Sequence, residues 1–97
     1  MATVTKRDLV KRINEKIGLS QREVLNTIEQ LMSEITESLT AGDEVVLRNF
    51  GTFQIAINKP KKGRNPKRPE IEIVIPERRV VKFKSGKLLK EQVMENS

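Results

Sequence analysis

The 97-residue chain contains no cysteine, histidine, tryptophan or tyrosine. Without cysteine it can form no disulfide framework and no thiolate metal site, and it has no cysteine nucleophile. Without histidine it lacks an imidazole base, a Ser-His-Asp triad and an ordinary zinc site. The acidic pair Asp43-Glu44 has no partner spaced for a two-metal site. We therefore expect no enzyme activity, no metal, no cofactor and no small-molecule substrate.

Long apolar runs are missing as well. No stretch of the sequence approaches the ~20 apolar residues that span a bilayer. Lys6 and Arg7 near the N-terminus are not followed by the apolar stretch of a signal peptide. These absences favour a cytoplasmic protein that is made without export and has no membrane partner.

The composition allows one thin hydrophobic core. Apolar residues make up 36% of the chain and charged residues 33%. A chain of this length buries only about 60–65% of its unfolded surface. We expect a single domain over residues 1–97, whose core is completed by a partner surface such as a second copy.

Positive charge is concentrated in the second half of the chain. Residues 1–47 carry six basic and eight acidic side chains, whereas residues 48–97 carry thirteen basic and five acidic ones. A polyanion is the natural partner of such a segment. The plainer alternative is that the lysines only keep a small basic domain in solution.

The first 42 residues predict a helical hairpin. Thr5 and Asp8 have the spacing of an N-terminal cap, and an apolar stripe at helical spacing follows them. Ser20 and Glu23 form a second capping box before a longer apolar stripe. Because the link between the stripes is short, the two helices should pack as an αα-hairpin.

Alternating apolar and polar residues then predict antiparallel strands. They fall at 45–47, 53–58, 71–75 and 81–84. Asn49-Phe50-Gly51 is expected to make the turn of the first hairpin, and a short last helix follows Ser85-Gly86.

A basic stretch separates the inner strands. From Lys59 to Pro69 it has six basic side chains, three prolines and no large apolar residue, so it cannot be buried. Strands flank it on both sides, which predicts a long β-hairpin arm rather than a linker. A strand from Ile57 to Pro66 reaches roughly 30 Å, at about 3.3 Å per residue. A two-stranded arm is marginal alone in water, so we expect it to become ordered on a partner.

Three short motifs follow one another along the chain. They are Gly42-Asp43-Glu44-Val45-Val46-Leu47, Phe50-Gly51-Thr52-Phe53 and Gly63-Arg64-Asn65-Pro66. With the two helices before them, they resemble the HU/integration host factor family of bacterial DNA-bending proteins, over nearly the whole chain. Arg78-Arg79-Val80-Val81 is similar to the integration host factor branch, whereas Gly51-Thr52-Phe53 is equally similar to HU.

The resemblance implies an α+β fold and an intertwined dimer. A helical dimerisation base would occupy 1–42, a sheet 43–84 with its arm at about 57–75, and a short C-terminal helix 85–94. The partner would be a second copy, although a heterodimer with a paralogue stays open. Phe50, Phe53 and Phe83 are expected in the dimer core, since Phe53 and Phe83 alternate in phase with apolar neighbours. Their alternative role is stacking on unpaired bases.

The resemblance also implies that two arms embrace double-stranded DNA through the minor groove. Pro66 would wedge between base pairs, with Arg64 and Asn65 beside it. A proline suits that task because its ring is apolar and stiff and needs no partner for an amide proton. Such a protein would bend DNA, compact or organise the chromosome, and locate to the nucleoid.

Two sets of residues are expected to contact the DNA. The arm set comprises Lys59, Lys61, Lys62, Arg64, Asn65, Lys67 and Arg68. The phosphate-contacting set comprises Arg48, Arg78, Arg79, Lys82, Lys84, Ser85, Gly86 and Lys87. The last three could bind a phosphate on backbone amides at the helix start, or simply cap the helix. Lysine-rich strands are otherwise solvated edges that block aggregation.

Two alternatives stay open at this point. Arg48 and Arg78-Arg79 allow a site-selective protein like integration host factor, in which a matching arginine helps to recognise a preferred site. The basic charge also permits an RNA-binding protein, although the wide, shallow A-form minor groove suits an arm and wedge poorly. One departure from the family pattern concerns the arm tip, where Lys67-Arg68-Pro69-Glu70 makes the run one residue longer than usual.

Overall fold

The computed structural model describes residues 2–95, apart from the side chain of Asn65. Its elements are α1 (Lys6–Ile17), α2 (Gln21–Thr40), β1 (Val45–Leu47), β2 (Gly51–Asn58), β3 (Lys61–Asn65), β4 (Arg68–Ile75), β5 (Arg78–Ser85) and α3 (Lys87–Glu95). The predicted α+β fold is confirmed, with its helical pair, antiparallel strands, hairpin arm and C-terminal helix. The chain divides into two compact units, one ending at Glu37 and the other beginning at Ser38.

Helix α1 begins and ends where the sequence predicts. The Asp8 N–H donates to Thr5 Oγ1 at 3.3 Å, and the Thr5 N–H donates to Asp8 Oδ2 at 2.9 Å, which completes a capping box. Hydrogen bonds from the backbone and side chain of Thr5, aided by the nearby Arg12 charge, hold the pKa of Asp8 below its usual value. Gly18 ends the helix with a left-handed φ of 73°, which glycine adopts without steric cost.

The helical unit has little buried surface in one chain. Ser20 Oγ accepts a hydrogen bond from the Glu23 N–H at 3.1 Å, which is one of the two hydrogen bonds of the predicted capping box. Val10 and Val24 are buried, with 6% and 2% of their surface exposed. Leu9, Leu31 and Met32 stay more than two-fifths exposed. A second copy would therefore find much apolar surface to cover.

Strands β1, β2 and β5 form an antiparallel sheet in that order. The β1–β2 turn comprises Arg48–Phe50, one residue earlier than predicted, and Asn49 takes a φ of 68° that asparagine tolerates. Gly51 is instead the buried first residue of β2. A Cβ there would lie 2.4 Å from Phe83 Cζ and 2.8 Å from the Lys84 carbonyl oxygen. Glycine is needed at this position because the Phe83 ring occupies the space.

The arm forms a separate sheet of β3 and β4, paired antiparallel from Lys61↔Ile75 onward. Its paired part begins later than the expected residue 57, because β2 ends at Asn58 and a two-residue break follows. All eight residues of β4 are exposed. No helix among residues 2–95 is long and apolar enough to cross a membrane.

Candidate nucleic-acid interface

One face of the three-stranded sheet carries positive charge. Because successive strand residues point to opposite sides, the pairs Thr52↔Lys84, Gln54↔Lys82 and Asn58↔Arg78 share one face. The cations of this set, Arg78, Lys82 and Lys84, are all exposed. We call the three the cationic face. The structure thus brings together three of the predicted phosphate-contacting residues.

The opposite face of the sheet is apolar. Phe83 lies against Phe53 and Phe50, with ring centroids 4.9 Å and 5.7 Å apart and tilted planes. Phe50 and Phe83 nevertheless keep 48% and 42% of their surface exposed in one chain. Ile57 and Val81 on this face are 60% exposed. This open apolar surface fits the predicted dimer core better than a platform for bases, since the Phe83 ring already contacts both other rings.

Arg79 lies apart from the other predicted phosphate-contacting residues. It pairs with Ile57 on the apolar face, and its Nη2 donates to the Leu39 carbonyl oxygen at 3.3 Å. Leu39 lies in the last turn of α2, and that turn contains no basic residue. The Arg79 guanidinium therefore supplies positive charge where the helix dipole favours it. No local sequence signal links positions 39 and 79, so sequence reasoning missed this contact.

The start of α3 lies against the β1–β2 turn. The Gly86 N–H donates to the Phe50 carbonyl oxygen at 2.8 Å, so this amide is already engaged within the protein. A Cβ on Gly86 would lie 3.1 Å from that carbonyl group. Ser85 is the last residue of β5 and pairs with Gly51. Arg48 in the turn and Lys87 in the helix are both exposed.

The cations of the arm are all exposed. They are Lys59, Lys61, Lys62, Arg64, Lys67 and Arg68. The predicted role of the Asn65 side chain lies outside the described part of the chain. Pro66 and Lys67 form the two-residue turn at the arm tip, and Pro66 is exposed there. A rigid apolar ring thus stands at the far end of a ribbon lined with cations.

The two faces of the arm differ. One carries Lys62 and Arg64 opposite Val74 and Glu72, and the other carries Lys61 and Gly63 opposite Ile75 and Ile73. Lys62 Nζ lies 3.9 Å from Glu72 Oε2, an exposed ion pair that the sequence reading did not anticipate. Glu72 therefore places negative charge on an otherwise cationic face.

The arm tip is irregular on its β4 side. Arg64 pairs with Glu72, but the next residue, Asn65, pairs with Arg68. The register shift leaves Pro69–Ile71 without a partner in the ladder. Proline is tolerated in such a bulge because no ladder hydrogen bond is lost. The longer run noted in the sequence is accommodated here, and Pro66 keeps its place in the turn.

Within residues 2–95, no three acidic side chains lie close enough together to hold a metal ion. The surfaces described above offer exposed cations and an exposed proline ring, which suit binding to a phosphate backbone.

Comparisons with known proteins agree with this arrangement. The family described as "Bacterial DNA-binding protein" matches residues 4–94. The probable DNA-binding protein HU of Chlamydia trachomatis is 39% identical over 93 residues, covering 96% of this chain and 93% of the relative. Integration host factor subunit alpha of Bartonella bacilliformis is 43% identical over 93 residues, covering 96% and 89%.

A solved structure matches equally well. The HU chain of the Anabaena HU–DNA cocrystal structure superposes with a TM-score of 0.86 and is 35% identical, covering 92% of this chain and 96% of that one. The chain therefore belongs to the bacterial DNA-binding protein family of HU and integration host factor, non-enzymatic architectural proteins that bind and bend double-stranded DNA as dimers.

Proposed function

We propose that the dimer of this chain grips the minor groove with its two arms, one from each subunit, lays the cationic face of each subunit against phosphates, and kinks the duplex with Pro66. The observation that carries the proposal is the arm itself. It is an exposed ribbon of cations whose far turn presents a proline ring. The cationic face of the sheet supplies further charge for the bent DNA on either side of the kink.

The energetic balance explains why both surfaces are needed. Unstacking a base step costs a few kcal/mol, and smooth bending of a 20–30 bp site costs about 1–6 kcal/mol. Phosphate contacts with the arm and the cationic face must offset those costs by releasing condensed counterions. We therefore expect affinity to fall steeply as salt rises, and bending and binding to depend on different residues.

The test of the wedge is the variant Pro66→Ala. Bending is measured by fluorescence energy transfer between the ends of a duplex of about 35 bp, and affinity by titration at fixed salt. We expect the bend angle to fall clearly while affinity changes by less than about tenfold, because the cations remain. Pro69→Ala is the matched control, since Pro69 lies in the unpaired bulge. An unchanged bend in Pro66→Ala would show that another residue makes the kink.

General and site-selective binding are separated by selection from a random duplex pool at physiological salt. We expect retention without a motif, beyond a preference for flexible pyrimidine–purine steps. The cations of the cationic face are suited to phosphates, which carry no sequence information. Enrichment of a defined motif would favour the site-selective alternative and a recognition role for the exposed Arg48. Preferential retention of duplex RNA in a parallel competition would contradict the DNA proposal.

Such a protein would act where the chromosome lies. We infer a nucleoid location within the cytoplasm, where it compacts DNA and assists processes that need a bent duplex. A fluorescent fusion that co-localises with DNA in cells would support this, and a diffuse signal that excludes the nucleoid would contradict it.

A further inference from the structure

The arm and the three-stranded sheet are two parts of one antiparallel ladder. The pairing between its strands is interrupted, but their register is the same on both sides of the gap. The β2–β5 pairing ends at Asn58↔Arg78, and the β3–β4 pairing begins at Lys61↔Ile75. Two residues separate these pairs on each strand, Lys59-Pro60 on one and Pro76-Glu77 on the other. Because the two gaps are equal in length, the interruption is neither a bulge nor a register slip.

Continuing the register through this gap sets Pro60 opposite Pro76. Neither residue has an amide N–H, so neither can donate a hydrogen bond to the opposite strand. All four residues of the gap are exposed. We call Lys59, Pro60, Pro76 and Glu77 the proline break.

The proline break preserves the register of the two strands while removing their pairing. A residue that precedes proline is restricted to extended conformations, which here applies to Lys59 and Ile75. The backbone on the N-terminal side of each proline therefore favours an extended conformation. Beyond the break, β3 and β4 pair again over Lys61–Arg64 and Glu72–Ile75. The arm is thus a paired ribbon in its own right, joined to the sheet by four residues without ladder pairing.

We propose that Pro60 and Pro76 are positioning residues that uncouple the arm from the sheet. The arm then pivots as a ribbon and follows the path of the minor groove, which lets Pro66 reach its base step. This inference rests on the proposed function, because it assumes that the arm enters the groove. A ladder running unbroken from the sheet to the tip would hold the arm in the twist of the sheet.

A different reading of the same prolines is protection of open strand edges against aggregation, a common use of proline at sheet edges. That role requires no pivot. It predicts that replacing both prolines alters solubility and leaves the geometry of bound DNA unchanged. The two roles therefore separate in a bending measurement.

The experiment uses the double variant Pro60→Thr/Pro76→Thr in the full-length dimer. Threonine restores both amide donors and suits a strand. Hydrogen exchange without DNA is measured first. The amides of residues 59, 61, 75 and 77 should become more protected than in the wild type, and the new amides of residues 60 and 76 should be protected as well. A lack of added protection would overturn the inference, because the prolines would then not be the cause of the interruption.

Bending and association on a 35 bp duplex, about three helical turns, are measured next. We expect a smaller bend angle and association slower by about tenfold, which is within the range that mutants of one interface show. The salt dependence of affinity should stay unchanged, because no cation is altered. Pro69→Thr is the matched control, since residue 69 has no ladder partner to regain.

The outcomes distinguish the two proposals. Wild-type bending that persists unchanged in the double variant, with its added protection, would overturn the pivot and leave the proposed function intact. Absence of bending by the wild type would instead overturn the proposed function. Thermal unfolding of the variant, monitored by circular dichroism, verifies that the dimer itself is still folded.

Discussion

The three-stranded sheet and the arm are built from strands of the same kind but differ in what their side chains contact. Both are antiparallel, and β2, β4 and β5 are each eight residues long. In β2 seven of the eight residues are buried or half-buried, whereas every residue of β4 is exposed. Backbone pairing alone therefore forms a strand, but packing on one face is what makes a sheet stable on its own.

This difference in exposure indicates different roles for the sheet and the arm. The sheet holds Phe83 against Phe50 and Phe53, and we expect this surface to support the dimer. The arm keeps its cations and its apolar residues open to a partner. Ile73 on the arm is 44% exposed, close to the 42% of Phe83 on the sheet. In the dimer a second chain is expected to cover the phenylalanines, whereas only DNA is expected to cover the arm.

Alanine in place of glycine should destabilise the sheet and have little effect on the arm. Gly51→Ala in the sheet places a Cβ within 3 Å of the Phe83 ring and a backbone oxygen. Overpacking of this kind lowers the free energy of unfolding by about 1–3 kcal/mol. Gly63→Ala in the arm meets Ile75 Cδ1 at an ordinary 3.6 Å and should change stability little. Thermal and urea unfolding of both variants measure this, and equal losses would contradict the distinction.

Removal of arm cations should weaken DNA binding without changing stability. Lys61→Gln/Lys62→Gln removes two exposed charges from the ribbon. The slope of log affinity against log salt should fall in magnitude by about two, with affinity lower by roughly tenfold at physiological salt. Lys16→Gln in α1 is the control, because it removes one lysine charge outside the proposed interface. The idea fails if the slope is the same in wild type and arm variant.

Arg78 and Arg79 lie on opposite faces of the sheet. Replacing one should change DNA affinity, and replacing the other should change the free energy of unfolding. Arg79→Gln loses the charged contact with the Leu39 carbonyl and should lower the free energy of unfolding by about 0.5–1 kcal/mol. Arg78→Gln on the cationic face should weaken DNA binding and leave unfolding unchanged. Urea unfolding and DNA titration of the two variants provide the comparison. A loss of affinity confined to Arg79→Gln would reverse our assignment of the faces.

The smallest expected effect concerns the acidic residue of the arm. Glu72→Gln removes negative charge beside Lys62 on the ribbon. Affinity should rise, although by no more than a few-fold, since exposed charge pairs contribute less than about 1 kcal/mol. Glu29→Gln, which breaks the exposed Lys6–Glu29 pair between α1 and α2, is the control for loss of an acidic residue away from the proposed DNA-contacting surfaces. Weaker binding by Glu72→Gln would show that the ion pair holds Lys62 in its working position.

The features that sequence predicted are those with local causes. The Thr5–Asp8 cap and the Gly18 helix end depend on residues a few positions apart, so spacing was sufficient. The contacts that sequence missed join distant positions: Gly51 with Phe83, Leu39 with Arg79, and Lys62 with Glu72. The interruption of the ladder was also missed, because Pro60 and Pro76 acquire their meaning only once the strands are paired.

The hydrogen bond from the Gly86 N–H to the Phe50 carbonyl oxygen joins two segments that carry exposed cations. It ties the first turn of α3 to the β1–β2 turn through main-chain atoms, without help from any flexible side chain. The backbone positions of Arg48 and Lys87 are therefore joined through this hydrogen bond, whereas the cations of β3 and β4 lie beyond the proline break. We therefore expect the backbone positions of Arg48 and Lys87 to keep a fixed separation on bound DNA, while the duplex and the arm adjust.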